Sequence, residues 1–393
     1  MNLIEQKISQ AVRILQEHDI DLWLTFVRES ATIPDPVIDM VIGQHCTWQT
    51  AWLISSTGQT IAIAGSLDVA AIKDKGHFKE VVPYVQGIGS TLLEVLNRLA
   101  PRSIAINYST DSVMADGLTL GMYRLLSRYL EGTPYLDRLL SSQEIVATLR
   151  GRKTQGEIDR MQKAVDITLA IYDELVNVIA PGVTEKQIAD YITRRAHEFG
   201  VEPAWERDHC PAVFTGPAHA GAHFRPTERC VEAGHVINTD FGVKVEGYCS
   251  DLQRTWYVRR AGERCAPAEV QRGFDVLIDS IHRAYDVLRP GALSWEVDAA
   301  ARQTIVDAGY PEYPHALGHQ VGRAAHDGGI GLYPKWERYG ALPFGKVEAG
   351  QVFTIEPRLP IESYGVATVE EMVWVTDNGN VMLSKPQTEL ILI

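Results

Sequence analysis

Four carboxylates recur in this chain in a repeated setting. The segment VEAGHVINTD (231–240) is echoed by VEAGQVFTIE (347–356), and each copy ends on an acid, Asp240 or Glu356. Each acid then leads through a turn to a second one. Asp240 reaches Asp251 by way of Glu246-Gly247, and Glu356 reaches Glu370 by way of Ser363-Tyr364-Gly365. Alternation in VINTD, VFTIE, RTWYV and EMVWV predicts strands, so each copy offers two acids on adjacent strands of a hairpin. If the copies pack about a pseudo-twofold axis, the four carboxylates converge. Two bare carboxylates ~4 Å apart repel by ~4 kcal/mol at an effective dielectric constant of ~20. Four stay ionised only beside cations; otherwise some take up protons. Two divalent ions would balance the four charges, and two-metal hydrolytic sites hold their ions ~3.5–4 Å apart. The plainer alternative, four unrelated acids at strand ends, does not account for their paired placement.

Histidines accompany the acids. HALGHQVGRAAHDGG (315–329) carries His315, His319 and His326 among glycines that permit close backbone approach. One imidazole added to four carboxylates makes a mixed nitrogen and oxygen donor set, which favours Mn²⁺ or a similar ion over a structural zinc. HALGH lacks the glutamate of a zinc-binding HExxH helix, so that reading is set aside. HAGAHF places His219 and His223 shortly before Asp240.

Two predicted regions position these residues. In the first, Ile4, Ile8, Val12 and Leu15 predict a helix over 3–18, and DLWLTFV (21–27) predicts a strand. AWLIS and TIAIA flank Ser56-Thr57-Gly58-Gln59 as a hairpin, followed by a helix at 92–99 and a strand at 103–107. Trp48 and Trp52 read as core residues, the alternative being a pocket lining supplied to a partner subunit. Residues 141–156, ending in RGRKTQGE, read as a polar, basic connector, which sets the domains at 1–145 and 155–393. The second region opens with a long helix carrying Ile158, Met161, Val165, Leu169 and Tyr172 on one stripe, up to Pro181-Gly182. Thr184 and Gln187 then fit a capping box. A further internal echo aligns residues 179–200 with 288–309 without gaps, each copy reading Pro-Gly, helix, closing Gly. Two similar helix–helix–sheet halves in tandem explain both echoes.

Composition excludes several classes. A formal net charge of −13 disfavours nucleic acid and polybasic membrane anchoring. No apolar run approaches the ~18 residues of a membrane helix. MNLIEQKISQ does not read as a signal peptide. The 5 cysteines form no CxxC, which points to a reducing, cytoplasmic setting.

The ordered set Asp240, Asp251, His319, Glu356 and Glu370 resembles the pita-bread (M24) metallopeptidases, the group of methionine aminopeptidase, Xaa-Pro aminopeptidase and prolidase. NTDFGVKVEGYCSDLQRTW, HALGHQVGRAAHD, TIEPR and VEEMVWVT carry the likeness. It implies an α/β (α+β) chain with a pita-bread catalytic domain of two pseudo-symmetric halves, preceded by a creatinase/prolidase-like N-terminal α/β domain. It also implies roles. Asp240 would chelate one ion, His319 and Glu356 the other, and Asp251 and Glu370 would bridge them. Glu356 would be the general base. His223 and His326 would sit over the substrate as donors to the scissile carbonyl or the proline side, and His315 would pack behind His319. Manganese is the expected metal, with cobalt, zinc or iron as alternatives. Because methionine aminopeptidases usually lack the N-terminal domain, the expected substrates are short proline-containing peptides cut at Xaa-Pro, and the expected assembly is a homodimer or higher homo-oligomer.

Two departures stand out. Many prolidases and Xaa-Pro aminopeptidases carry an arginine two residues before the last ligand, where this chain has Thr368. Pro-Gly usually follows the first ligand glutamate, and here Pro357-Arg358 does. Arg358, or Arg225 near His223, is the candidate for the missing charge and for binding a substrate carboxylate. That favours an Xaa-Pro dipeptidase. An Xaa-Pro aminopeptidase acting on longer peptides, a non-catalytic binding protein on the same fold and a hydrolase of non-peptide esters remain the alternatives.

Overall fold

The chain opens on a reciprocal cap: Asn2 Oδ1 accepts from Glu5 N (2.9 Å) while Glu5 Oε2 accepts from Asn2 N (3.2 Å). It satisfies donors that helix α1 (Leu3–Glu17) would otherwise leave unpaired. The computed structural model describes residues 2–217 and 225–393. The chain divides into two units, Met1–Arg150 and Gly151–Ile393.

The first unit is built on six strands: β1 (Leu22–Val27), β2 (Thr50–Ser55), β3 (Thr60–Gly65), β4 (Glu80–Tyr84), β5 (Ile104–Ile106) and β6 (Leu139–Ser141). They lie in the order β4-β3-β2-β1-β5-β6. The predicted hairpin at residues 56–59 joins β2 and β3 antiparallel, while β4, β5 and β6 join in parallel. Every residue of β1 is buried because both faces of the sheet are covered. Trp23 and Val27 pack with Ile14 and Leu15 of α1. Leu22, Leu24 and Phe26 pack on the other face with α3 (Gly89–Leu99) and α4 (Leu120–Leu130), which follow α2 (Val69–Lys75) in the chain. Trp52 is core, tilted on Phe78 at 4.8 Å, whereas Trp48 is 37% exposed and does not join it. The expected polar connector is also corrected. Helix α5 (Gln143–Gly151) occupies most of it, with Ile145, Val146 and Leu149 fully buried. Three apolar residues on one face were hidden by the polarity averaged around them.

The second unit shows the internal echo in three dimensions. Helices α6 (Gln155–Glu174) and α7 (Glu185–Glu198) lead to β7 (Glu202–Pro203), β8 (Ala212–Thr215), β9 (Val236–Phe241), β10 (Val243–Val245), β11 (Tyr248–Cys249) and β12 (Leu252–Tyr257). Helices α8 (Ala268–Val287) and α9 (Ser294–Asp307) lead to β13 (Val352–Ile355), β14 (Arg358–Ile361), β15 (Gly365–Thr368), β16 (Glu371–Thr376), β17 (Gly379–Met382) and β18 (Ile391–Leu392). The echoed glycines adopt matching left-handed conformations: φ is +91° and +88° at Gly182 and Gly291, and +94° and +93° at Gly234 and Gly350. Equal backbone demands at equivalent places show that the halves repeat as structure, not only as sequence. The Thr184–Gln187 capping box opens α7 as predicted. Phe274, Leu277 and Val297 of α8 and α9 pack with Phe353, Ile355 and Leu359 in one core. Among the described residues, no helix is long and apolar enough to cross a membrane.

Candidate metal centre

The hairpin geometry sets the four acids. Strands β9 and β12 pair antiparallel with Asp240 opposite Gln253, and Asp251 immediately precedes β12. Strands β13 and β16 pair antiparallel with Ile355 opposite Glu371, so Glu356 and Glu370 flank the end of that pair. Hydrogen bonds from backbone N–H groups then join the halves. Glu370 N donates to Gln253 O (3.2 Å), and Thr368 N donates to Thr255 Oγ1 (3.0 Å). These seams bring both pairs of acids to one place, as the pseudo-twofold expectation required.

His319 arrives from the segment before β13. Glu356 N donates to Leu317 O (2.8 Å), Thr354 N to His319 O (2.9 Å) and Val321 N to Val352 O (3.1 Å). Gly318 permits this approach, since a Cβ there would lie 2.0 Å from Thr354 O. His319 is thereby placed beside Glu356, with Nε2 3.2 Å from Glu356 Oε1 and 3.7 Å from Asp251 Oδ2. Its Nδ1 faces Gln320 O at 3.3 Å, which leaves Nε2 turned to the carboxylates, the orientation a metal-binding imidazole needs.

The electrostatics are those of a buried acid cluster beside an imidazole. Burial, then the neighbouring charges of Asp251 and Glu356, pushes the Asp240 carboxyl well above its usual range. Burial raises Asp251 to about 7, against the pull of His319. Glu370 is driven well up by burial and by the other three acids. Burial opposes charge on His319 too, but its hydrogen bond to Glu356 and the nearby carboxylates prevail and push it up to about 9. Glu356 moves the other way, below its usual range. Burial would raise it, but the His319 bond and the imidazoles of His315 and His326 outweigh burial.

The donor set fits hard divalent cations. Asp251, His319 and Glu370 each present a ligand atom within 4.8 Å of the others. Among the described residues, Asp240 Oδ1 and both Glu370 carboxylate oxygens are buried without a hydrogen-bond partner of good geometry. Buried carboxylate oxygens without donors are costly, and a cation satisfies them.

A cavity of about 680 Å³ opens over the five donors, and it also contains His315, His326 and Arg358. The His326 ring lies 4.0 Å from that of His319. His315 lines the cavity itself, its Nδ1 2.7 Å from Ala316 O, rather than packing behind His319 as expected. Arg358 faces the cavity from β14, and burial holds its guanidinium below the usual arginine value. Arg225 is exposed and pairs with Asp208. His223 and His219 lie outside the described residues. Sequence reasoning missed Gln253, whose Nε2 donates to Glu356 Oε2 (3.2 Å). Its place two residues after Asp251 on a strand was a usable signal. It also missed Trp205 and Tyr333 in the cavity wall, which no local pattern marks.

The model of metallopeptidase family M24 matches residues 159–377, a span holding all five donors. An uncharacterized peptidase of Staphylococcus saprophyticus is 27% identical over 335 residues, covering 85% of this chain and 87% of that protein. One from Staphylococcus aureus is 24% identical over 337 residues, with the same coverage. Among solved structures, an Xaa-Pro dipeptidase from Bacillus anthracis superposes with a TM-score of 0.76 at 23% identity, covering 99% of this chain and 100% of that one. An X-Pro aminopeptidase from Thermotoga maritima gives 0.74 at 24% identity, with 97% and 100% covered. A prolidase from Pyrococcus horikoshii gives 0.71 at 22% identity, with 98% and 100% covered. These structural likenesses establish the two-domain architecture and the pita-bread fold.

Proposed function

The chain belongs to metallopeptidase family M24, and from that premise we propose that it cleaves Xaa-Pro bonds as a dinuclear-metal Xaa-Pro dipeptidase. One observation carries the reading: among the described residues Asp240 Oδ1 is buried without a hydrogen-bond partner, and ligand atoms of Asp251, His319 and Glu370 lie within 4.8 Å of one another. Asp240, Asp251, His319, Glu356 and Glu370 would hold the two ions. Two divalent ions, manganese first, would supply Lewis acidity and lower the pKa of an attacking water toward neutrality.

The chain's own groups do the rest. Glu356, 3.2 Å from His319 Nε2, accepts the proton of the attacking water. His326, beside His319, and His223 donate hydrogen bonds to the carbonyl oxygen as charge develops on it. Arg358, inside the cavity, binds the substrate carboxylate through two parallel N–H donors. A cation close to the donors suits a dipeptide, whose free carboxylate lies one residue from the scissile bond. Residues 1–145 serve as a creatinase/prolidase-like N-terminal domain and 155–393 as the catalytic domain. The enzyme works as a homo-oligomer in the cytoplasm, a setting that the 5 cysteines, none in a CxxC, support.

Hydrolysis of a paired Xaa-Pro dipeptide and Xaa-Pro-Xaa tripeptide by the manganese-loaded chain, with metal analysis, tests this. Two metals per chain and preferred cleavage of the dipeptide support it. Preferred cleavage of the tripeptide makes the enzyme an aminopeptidase. Less than one metal per chain and no cleavage after metal addition defeats the reading in favour of a binding protein.

A further inference from the structure

Between the two cavity imidazoles runs a closed turn. It leaves His319 and returns at His326. Gly322 N donates to Ala324 O (3.0 Å) and Asp327 N to Gln320 O (2.9 Å), while Cys249 N donates to Gly322 O (2.8 Å) and ties the turn to β11. Asp327 sits beneath it. Its Oδ1 accepts from Ala324 N (3.2 Å), and its Oδ2 faces Lys153 Nζ at 3.3 Å. The side chains of Lys153 and Asp327 are 1% and 2% exposed. The backbone closes directly on this pair: a Cβ at Gly322 would lie 2.1 Å from Asp327 Oδ2 and 2.7 Å from Lys153 Cε. Lys153 is anchored in turn, its N donating to Gly350 O (2.9 Å). No step of the proposed reaction uses either charge.

We propose that the Lys153–Asp327 ion pair is a positioning device that sets the His326 ring against His319 and over the cavity. The proposal rests on the role given to His326 above. The physical reason is the cost of separating two buried charges. A carboxylate stripped of its counter-charge in this environment must draw in water or move. Asp327 is next to His326 in the chain, so its movement carries the imidazole. A displacement of about 1 Å in a group that meets the transition state can cost ~100-fold in rate.

A double-mutant cycle on the manganese-loaded full chain, with an Xaa-Pro dipeptide, tests this. Lys153→Met is expected to lower kcat roughly 10- to 100-fold, with KM and metal content nearly unchanged. Added to His326→Ala, it is expected to cause no further loss. Equal losses in both backgrounds overturn the proposal, because a general structural role acts whether or not the imidazole is present. Asp327→Asn keeps the shape and the acceptor for Ala324 N–H, and serves if Lys153→Met does not fold. If neither variant folds, or both lose metal, the pair is structural and the proposal falls. A crystal structure of Lys153→Met with His326 still 4.0 Å from His319 overturns it without reference to activity. Failure of the wild-type chain to cleave any proline peptide defeats the functional reading instead, and leaves that structure to decide the positioning claim.

Discussion

Arg358 stands opposite Thr368 across the β14–β15 ribbon, and both residues line the cavity above the acid cluster. Directly opposed residues on antiparallel strands have Cβ atoms about 4.5–5.5 Å apart, within reach of a long side chain. A cation carried by β14 is therefore within reach of the place where Thr368 offers none, which is the basis for the substrate-carboxylate role proposed for Arg358.

Arg358→Ala is expected to raise KM for Xaa-Pro dipeptides on the order of 10- to 100-fold, the loss of one charge-assisted bidentate contact. Tripeptides, whose carboxylate lies further out, should be spared. Steady-state kinetics on both substrates decides, and an unchanged dipeptide KM sinks the assignment.

Glu370→Gln separates metal binding from folding. Glu370 lies buried among three other acids, so removing its charge relieves repulsion in the metal-free chain. The variant should melt higher than wild type without metal, yet retain less metal and lose turnover by about 1,000-fold or more. Calorimetry with and without manganese, and metal analysis after dialysis, measure both halves. A lower metal-free Tm contradicts the electrostatic account.

Metal binding should release protons. Asp251 is raised to about 7 and His319 to about 9, so the metal-free site holds protons at neutral pH that the ions must displace. Affinity therefore falls as pH drops below 7, and activity falls with it. Titration calorimetry in buffers of different ionisation enthalpy should find net proton release at pH 7, diminishing above about pH 9 as the imidazole also loses its proton. No release at pH 7, or full activity at pH 4, would contradict this.

The first unit should carry its own pH dependence. Asp35 is 3% exposed, and both its carboxylate oxygens accept from Asn107 Nδ2 (3.0 and 2.9 Å). Burial raises it to about 6 despite these bonds. A group raised in the folded state favours folding most when protonated, below its unfolded value of 3.8. That contribution is lost as pH rises to about 6. The loss is on the order of 3 kcal/mol at 1.36 kcal/mol per pKa unit. Urea unfolding at pH 4 and pH 7 should show this loss in wild type, and Asp35→Asn should flatten it. An identical profile for the variant would remove Asp35 as the cause.

Much of the molecule is written in local sequence, because caps, strand alternation and left-handed glycines act over a few residues. The Asn2–Glu5 cap, the Thr184 capping box, the β2–β3 hairpin and the echoed Pro-Gly turns are of this kind. The order of the four acids with His319 was legible too, since the duplicated hairpins carry it. Tertiary structure alone decided what depends on distant segments meeting. Lys153 lies 174 residues from Asp327 and was read as part of a polar connector, because nothing local marks a charge that will be buried against another. Helix α5 was hidden by average polarity, and His315 came to line the cavity instead of supporting His319. The sequence offered both Arg358 and Arg225 for the missing charge, and the fold separates them: the ribbon register sets Arg358 opposite Thr368, while Arg225 pairs with Asp208. Short-range preferences determine which elements form and which acids they carry. Which side chains then face one another follows from long-range packing, where burial removes water and leaves each charge only the partners the fold supplies.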